Sequence, residues 1–562
     1  MKWMKFMAVC LVVAGFGGVV EGAGARRPNI VVMLADDMGY SDVGCYGGEI
    51  ETPNIDALAA GGVRMSEFYN CSRCCPTRAS LLTGVYPHQA GVGHMTWEDL
   101  HLPGYRADLS KDTPTIAEVL KGAGYATFMS GKWHVTINDQ PGSPKDNWPR
   151  QRGFDRYYGI IKGSGSYYDP AMLVRENTPI QPRGDKEYQP EHYYFTDAIA
   201  DQAIRFVKEH DAEKKEQPFF LYVAFTSPHW PLQAPEDVIG KYKGKYDGGF
   251  APVREARYER MKQMGIIDPK WELTPAPQLW SDVKHVAWEA RCMEVYAAQV
   301  DRMDQNVGKI VAALKEEGEL ENTLIIFMSD NGACAETTGR ADMPKRDKEK
   351  PVAPRAIDKP QTQSNGAYTL DGTPVRSGPE VIPGDADSFI AYGRSWANVS
   401  NTPFREYKHY VHEGGIAAPF IAYWPGGVSE HGTWNKSPAH VIDIMATCVA
   451  LSGAKFEGKV AMQGVDLEPV FGGKDLERGK PIFWEHEGNR AMRDGKWKLV
   501  ATGPKTPWEL YDMDADRTEM HDLAGKELGR VKEMGDAWEK WAEETNVLPL
   551  LPKGKKKLMA AE

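Results

Sequence analysis

Cysteine is scarce in this chain, at eight of 562 residues. That density excludes a disulfide-stapled scaffold. Basic residues are outnumbered, 67 Lys and Arg against 78 Asp and Glu, for a net charge of −11. A nucleic-acid binder needs a basic face, so that class is excluded, and any anionic substrate must be held by local cations. Beyond the N-terminus no apolar run is long enough to read as membrane-spanning. What is left, 42% hydrophobic and 26% charged residues, is an ordinary globular composition with room for large buried cores.

The opening segment, MKWMKFMAVCLVVAGFGGVVEGAGA, reads as a signal peptide. Lys2 and Lys5 supply the charged start, an apolar stretch follows Phe6, and Ala23-Gly24-Ala25 suits a cleavage site. Its glycines and short apolar run disfavour an uncleaved anchor. The expectation is an exported protein, periplasmic or extracellular, without stable membrane insertion. The basic tail LPKGKKKLMAAE reads as a solvated end.

Four short apolar runs each end in polar residues. NIVVMLA leads into Asp36-Asp37, ATFMSG into Lys132-Trp133-His134, FFLYVAFTSP into His229, and TLIIFMS into Asp330-Asn331. Continuous apolar runs fit strands buried on both faces. Helical patterns lie between them. Thr113 and Pro114 are placed to start one that Gly122 stops, and Met303, Val307, Ile310, Val311 and Leu314 keep a helical spacing in another. The expected fold is α/β, a large and mostly parallel sheet covered by helices. From about residue 456 the pattern changes. Asp494-Gly495 reads as a hairpin turn, WELYDM as a strand, and Leu528, Val531, Met534, Trp538 and Trp541 as one side of a terminal helix. A smaller C-terminal α+β subdomain with an antiparallel sheet is expected there. The division is a signal peptide at 1–25, a catalytic domain at 26–455, a C-terminal subdomain at 456–552 and a basic tail at 553–562.

In such sheets ligands gather at the carboxyl ends of strands, where all four polar clusters fall. A lone Asp there is usually a cap, and a lone His in a loop is usually packed or solvated; the signal is their joint occurrence. Three carboxylates and an Asn amide suit a hard cation, Ca²⁺ or Mg²⁺. Lysine, arginine and histidine nearby suit an anion that is bound and then cleaved.

The segment CSRCCPTRASLLTG, residues 71–84, holds three cysteines. Cys71-x-x-Cys74 lacks the second pair a zinc site needs. A disulfide of Cys71 or Cys75 stays open. Cys74-Cys75-Pro76-Thr77-Arg78, followed by Thr83-Gly84, resembles the sulfatase signature C-x-P-x-R-x4-T-G. RPNIVVMLADDMGY, TPNIDALAAGGVRM, GKWH, PHWPLQAP, IIFMSDNGA and REYKHYVHEGGIAAP follow in the order of that family, in its alkaline-phosphatase-like, arylsulfatase branch.

The resemblance implies a sulfuric ester hydrolase acting on an aryl sulfate or a sulfated carbohydrate. It implies that Cys74 is oxidised to formylglycine by a formylglycine-generating enzyme, and that the hydrated aldehyde attacks sulfur. Asp36, Asp37, Asp330 and Asn331, with modified Cys74, would hold Ca²⁺ or Mg²⁺. Arg78 and Lys132 would stabilise the formylglycine and the sulfate, and His134 would drive elimination. His229 and Lys408 would bind sulfate and help protonate the leaving oxygen. Cys75 stands where the family usually has a small Ser, Ala or Thr. Glu413 reads as structural. Residues 162–170 with Tyr167 and Tyr168, the polar excursion 335–385 and His486 read as ordinary loop, or as lining of a substrate pocket. Two alternatives stand beside the sulfatase reading: a phosphonate-monoester or phosphodiester hydrolase of the same superfamily, and a non-catalytic carbohydrate-binding homologue.

Overall fold

The computed structural model describes residues 26–341 and 350–550. The signal segment, with Cys10, and the basic tail lie outside the described residues. No described helix is long and apolar enough to cross a membrane.

An 11-stranded sheet organises the chain. From edge to edge its main path runs Thr433–Asn435, Val63–Tyr69, Ala417–Tyr423, Thr323–Ser329, Asn29–Asp36, Phe219–Pro228, Ala126–Gly131, Arg156–Ile160, Leu173–Arg175 and Thr178–Pro179. Ala439–His440 pairs separately with Val63–Tyr69. All four apolar runs are strands, and they are mutually parallel. The reason for their unbroken apolarity is visible in the packing. Val31, Met33 and Ala35 enter the core on one face, while Ile30, Val32 and Leu34 enter the core on the other. A strand buried on both faces has no polar phase to show.

Ala417–Tyr423 runs antiparallel to both its neighbours. Its amino end therefore lies at the edge where the parallel strands finish, with Ala417 opposite Tyr69. This one reversed strand delivers residues 405–416 to the same edge as Asp36 and Asp330.

Some local expectations shift. The helix Ile116–Gly122 is capped by Thr115, not Thr113, because Glu118 three residues on completes a reciprocal capping box with it. The helix Val286–Glu316 buries Met303, Val307, Ile310 and Leu314 but leaves Val311 half-buried.

The smaller antiparallel sheet is Ile482–His486, Asn489–Asp494, Trp497–Ala501 and Glu509–Asp512. Asp494 pairs with Trp497, so the hairpin loop is Gly495-Lys496, one residue later than expected, with Gly495 at φ 53°. The helix Leu528–Glu544 lays Met534, Trp538 and Trp541 on this sheet. Leu528 does not join them; it is 72% exposed at the helix start. Trp541 stacks on Phe483 with ring centroids 5.0 Å apart, and Trp538 donates its indole N–H to the Trp484 carbonyl at 3.1 Å.

Glu413 is a buried junction between the two sheets. It receives Lys498 at 2.9 Å and Arg517 at 2.7 Å, and Lys498 also reaches Glu519 at 2.8 Å. Burial works against the Glu413 charge, but Lys498 and Arg517 hold its carboxyl down to about 2.

Candidate active site

The four adjacent parallel strands formed by the apolar runs end in polar groups at the same edge. Asp36 closes Asn29–Asp36, and Asp37 follows in the left-handed region at φ 67°, which turns its side chain out of the strand alternation. Asp330 and Asn331 follow Thr323–Ser329, Lys132 follows Ala126–Gly131, and His229 follows Phe219–Pro228. Val63–Tyr69 leads through a short loop to the helix Cys74–Thr83, whose residues are all buried. Its N-cap, Arg73, makes no side-chain cap, so the first-turn N–H groups and the helix dipole face the site beside Cys74.

The structure brings together all ten residues singled out from the sequence. Lys132 Nζ lies 2.6 Å from Asp36 Oδ2. Arg78 makes two bonds to Asp330 Oδ2, at 3.0 and 2.7 Å, and a third to the Lys132 carbonyl at 3.1 Å. Asn331 Nδ2 donates to Asp37 Oδ1 at 2.7 Å. Lys408 Nζ reaches Asp37 at 2.9 Å and His229 Nε2 at 3.4 Å. His134, at φ 57°, lies against the signature helix, with Nε2 3.3 Å from Cys75 Sγ. Cys71, Cys74 and Cys75 are all free and buried, so the cluster is not a disulfide knot here.

Burial pushes the Asp36 carboxyl up to about 6 despite Lys132 and Arg78. Burial together with the Asp36 charge pushes Asp330 up to about 7. Asp36 Oδ1 and Asn331 Oδ1 are buried and have no hydrogen-bond partner among the described residues. Crowded carboxylates with orphaned oxygens are a donor set for a hard divalent cation, so the residues present fit Ca²⁺ or Mg²⁺.

Both histidines are neutral at pH 7, burial lowering His134 and His229 each to about 4. His229 Nδ1 lies 2.6 Å from the Trp230 carbonyl, which can only accept, so Nδ1 carries the proton and Nε2 is the acceptor facing Lys408. Burial opposes the Lys408 charge, but Asp37 holds its ammonium well above the usual lysine range. The Cys74 thiol is lowered well below its ordinary value, first by a hydrogen bond from Cys75, whereas burial raises Cys75 far above it.

Several roles differ from the sequence reading. Tyr167 is no stacking platform. It is buried, and its hydroxyl donates to the Thr226 and His229 carbonyls at 2.9 and 2.8 Å, tying down the His229 turn. His486 is not loop but the last residue of a strand, and fully buried. The excursion 335–385 is not all surface. Glu336, within it, accepts from Arg73 at 2.9 Å, Trp230 Nε1 at 2.7 Å and His409 at 3.2 Å, and Lys408 Nζ is 3.9 Å away. Nothing in "CAETTG" marks that residue out, because its partners come from distant segments. Burial works against its charge, yet Lys408 and Arg73 hold its carboxyl far below the usual range. Glu336→Gln is expected to lower kcat/KM for an aryl sulfate about 10- to 100-fold, the worth of a hydrogen bond between charged groups. Steady-state kinetics beside Glu336→Asp checks this, and unchanged rates would dismiss the contact.

Gly163 holds a second constraint. A Cβ there would lie 2.2 Å from His134 Cε1. Gly163→Ala must displace the imidazole, and about a hundredfold loss of kcat is expected from misplacing it. The check is activity alongside an unchanged melting temperature.

The cleft over these groups has a volume of about 240 Å³ and is rimmed by Trp97, Lys162, Ser164, Trp230 and Ser364. A family model for sulfatases matches residues 28–454. The chain is 34% identical to an uncharacterized sulfatase of Schizosaccharomyces pombe, over 94% of this chain and 95% of that one. It is 36% identical to an arylsulfatase of Klebsiella aerogenes, over 80% and 91%. Among solved structures, Ps i-CgsB in complex with k-i-k-neocarrahexaose is 27% identical, with a TM-score of 0.63 over 94% of this chain and 95% of that one.

Proposed function

Since the chain belongs to the sulfatase family and is a sulfuric ester hydrolase, we propose that it cleaves sulfate monoesters, of aryl or sugar alcohols, through a formylglycine made from Cys74 and a bound Ca²⁺. The observation that carries this reading is Cys74 at the open N-terminus of a buried helix, facing the Asp36–Asp37–Asp330–Asn331 cluster across Arg78 and Lys132. The hydrated aldehyde would supply a nucleophilic hydroxyl and a second hydroxyl for expelling sulfate, which Cys or Ser lacks. The cation, held by Asp36, Asp37, Asp330 and Asn331 with modified Cys74, would neutralise sulfate oxygens and acidify the attacking hydroxyl.

The chain's own groups do the rest. Arg78 and Lys132 pair with Asp330 and Asp36, and with a cation on those carboxylates both would be available to neutralise sulfate oxygens. Neutral His134 is the base that takes the proton of the second hydroxyl. Charged Lys408 is the proton source for the leaving oxygen, and His229 Nε2 orients it. Export rests on the N-terminal segment, and the division at about residue 455 on the change of pattern there.

The test is hydrolysis of 4-nitrophenyl sulfate by protein co-expressed with a formylglycine-generating enzyme, with the aldehyde verified by mass and the matching phosphate and phosphonate esters alongside. Turnover of the sulfate ester that tracks aldehyde content supports the reading; faster turnover of the phosphorus esters overturns it. Chelation is expected to abolish activity and lower the melting temperature. Adding Ca²⁺ at a hundred times its dissociation constant should restore both, about 2.7 kcal/mol of stability. A melting temperature indifferent to Ca²⁺ would count against the cation.

A further inference from the structure

A second and larger concavity, about 680 Å³, opens beside the sulfate cleft between segments 166–193 and 361–389. Ser364 lines both hollows. Trp230 of the cleft packs edge-on against Phe389 of the larger cavity, centroids 5.6 Å apart. The two hollows therefore adjoin at one serine, and a group esterified to a sulfate in the cleft would lie beside the cavity.

The lining is rich in side-chain amides, hydroxyls and tyrosine rings, Tyr168 among them. Its charge is one-sided: Asp169, Glu191, Asp371, Asp385 and Asp387 against a single guanidinium, Arg183. Arg183 is already paired with Asp371, Arg355 with Asp169, and Arg376 with Asp387 at 2.6 Å. Asp385 and Glu191 have no Lys or Arg partner among the described residues; Glu191 has only the His192 imidazole at 3.8 Å. Asp169 is 4% exposed, and its Oδ1 has no hydrogen-bond partner. Among the described residues the lining thus holds surplus acceptors and aromatic faces but no uncommitted Lys or Arg. Hydroxyl donors and C–H faces satisfy such a wall; an anion there would meet amide and hydroxyl donors but no unpaired Lys or Arg among the described residues, against five carboxylates.

Resting on the sulfate-ester reading above, we propose that this cavity is a subsite for an uncharged, hydroxyl-rich sugar unit attached to the sulfated one, and that its carboxylates reject substrates bearing a second anionic group at that place. The preferred substrate class is then a sparsely sulfated glycan, in which sulfated and neutral sugars adjoin.

Binding tests this without relying on turnover. Cys74→Ala protein is titrated calorimetrically with monosulfated disaccharides that cover the sulfate positions, each with a neutral neighbouring sugar, and with the same compounds carrying a second sulfate on that neighbour. At least one monosulfated compound is expected to bind about tenfold or more tightly than its disulfated partner. Asp385→Lys, and independently Glu191→Lys, should shrink or invert that ratio while affinity for 4-nitrophenyl sulfate stays within about twofold. Equal or tighter binding of the disulfated compounds, a ratio unmoved in both variants, or no binding of any disaccharide overturns the subsite. The expected pattern of binding, in protein whose Cys74-bearing form cleaves no sulfate ester, would instead sink the catalytic reading and leave the subsite standing.

Discussion

Cys74→Ala is expected to reduce hydrolysis of an aryl sulfate by about ten-thousandfold or more, while Cys75→Ala stays within about tenfold of the parent protein. The two thiols are neighbours in a fully buried helical turn, so their difference is one of placement. Cys74 is the first helical residue, beside the free N–H groups, and its thiol is drawn far below the ordinary range. Cys75 points instead at Met95 Sδ and His134 Nε2, each 3.3 Å away, and burial keeps it protonated. Losing Cys75 costs packing beside His134 and its hydrogen bond to Cys74; losing Cys74 removes the precursor of the proposed nucleophile. Kinetics on matched preparations, with melting temperatures as a check on folding, separates the two. Comparable losses in both variants would show that the cysteines act as a pair.

The largest effect on stability is expected from Glu413→Ala, about 3–5 kcal/mol, because Arg517 would remain buried without its carboxylate and Lys498 would keep only Glu519. Glu413, Lys498, Arg517 and Glu519 are each 0% exposed, so no water repays the loss. The pH dependence has a definite sign. The carboxyl is depressed from 4.5 to about 2 in the folded protein. Its contribution is therefore complete above pH 4.5 and is lost as pH falls toward 2. The parent protein should lose stability more steeply than Glu413→Ala across that window. Thermal melts at several pH values measure this, and parallel curves would refute it.

Much of the sheet and of the candidate site is legible in the sequence, for a shared physical reason. Strands buried on both faces leave unbroken apolar runs, and a parallel sheet puts their last residues on one edge, so Asp36, Lys132, His229 and Asp330 announce their convergence. Less is legible where partners are remote. Glu336 draws its neighbours from residues 73, 230, 408 and 409, and no local pattern encodes that. The reversed direction of Ala417–Tyr423 is likewise silent, since an antiparallel strand inside a parallel sheet is as apolar as its neighbours. Thr115 wins the cap from Thr113 through the Glu118 side chain, a one-residue distinction that hydrophobic spacing alone does not make. Tyr167 looks like a sugar platform because tyrosine is amphipathic, but two carbonyls claim its hydroxyl.

The reversed strand also sets a clock. Ala417–Tyr423 lies between Val63–Tyr69 and Thr323–Ser329, so the sheet that walls in Cys74 cannot close until the ribosome has made it. At about 5–20 residues per second, that is roughly 20 s to a minute after Cys74 itself is made. Cys74 is 2% exposed once the sheet is complete, too little for another protein to grip. Any enzyme that modifies this cysteine has to win a race against the chain's own completion. If Cys74 is the proposed formylglycine precursor, the yield of active protein should rise with the ratio of modifying enzyme to nascent chains and with slower translation downstream of the signature.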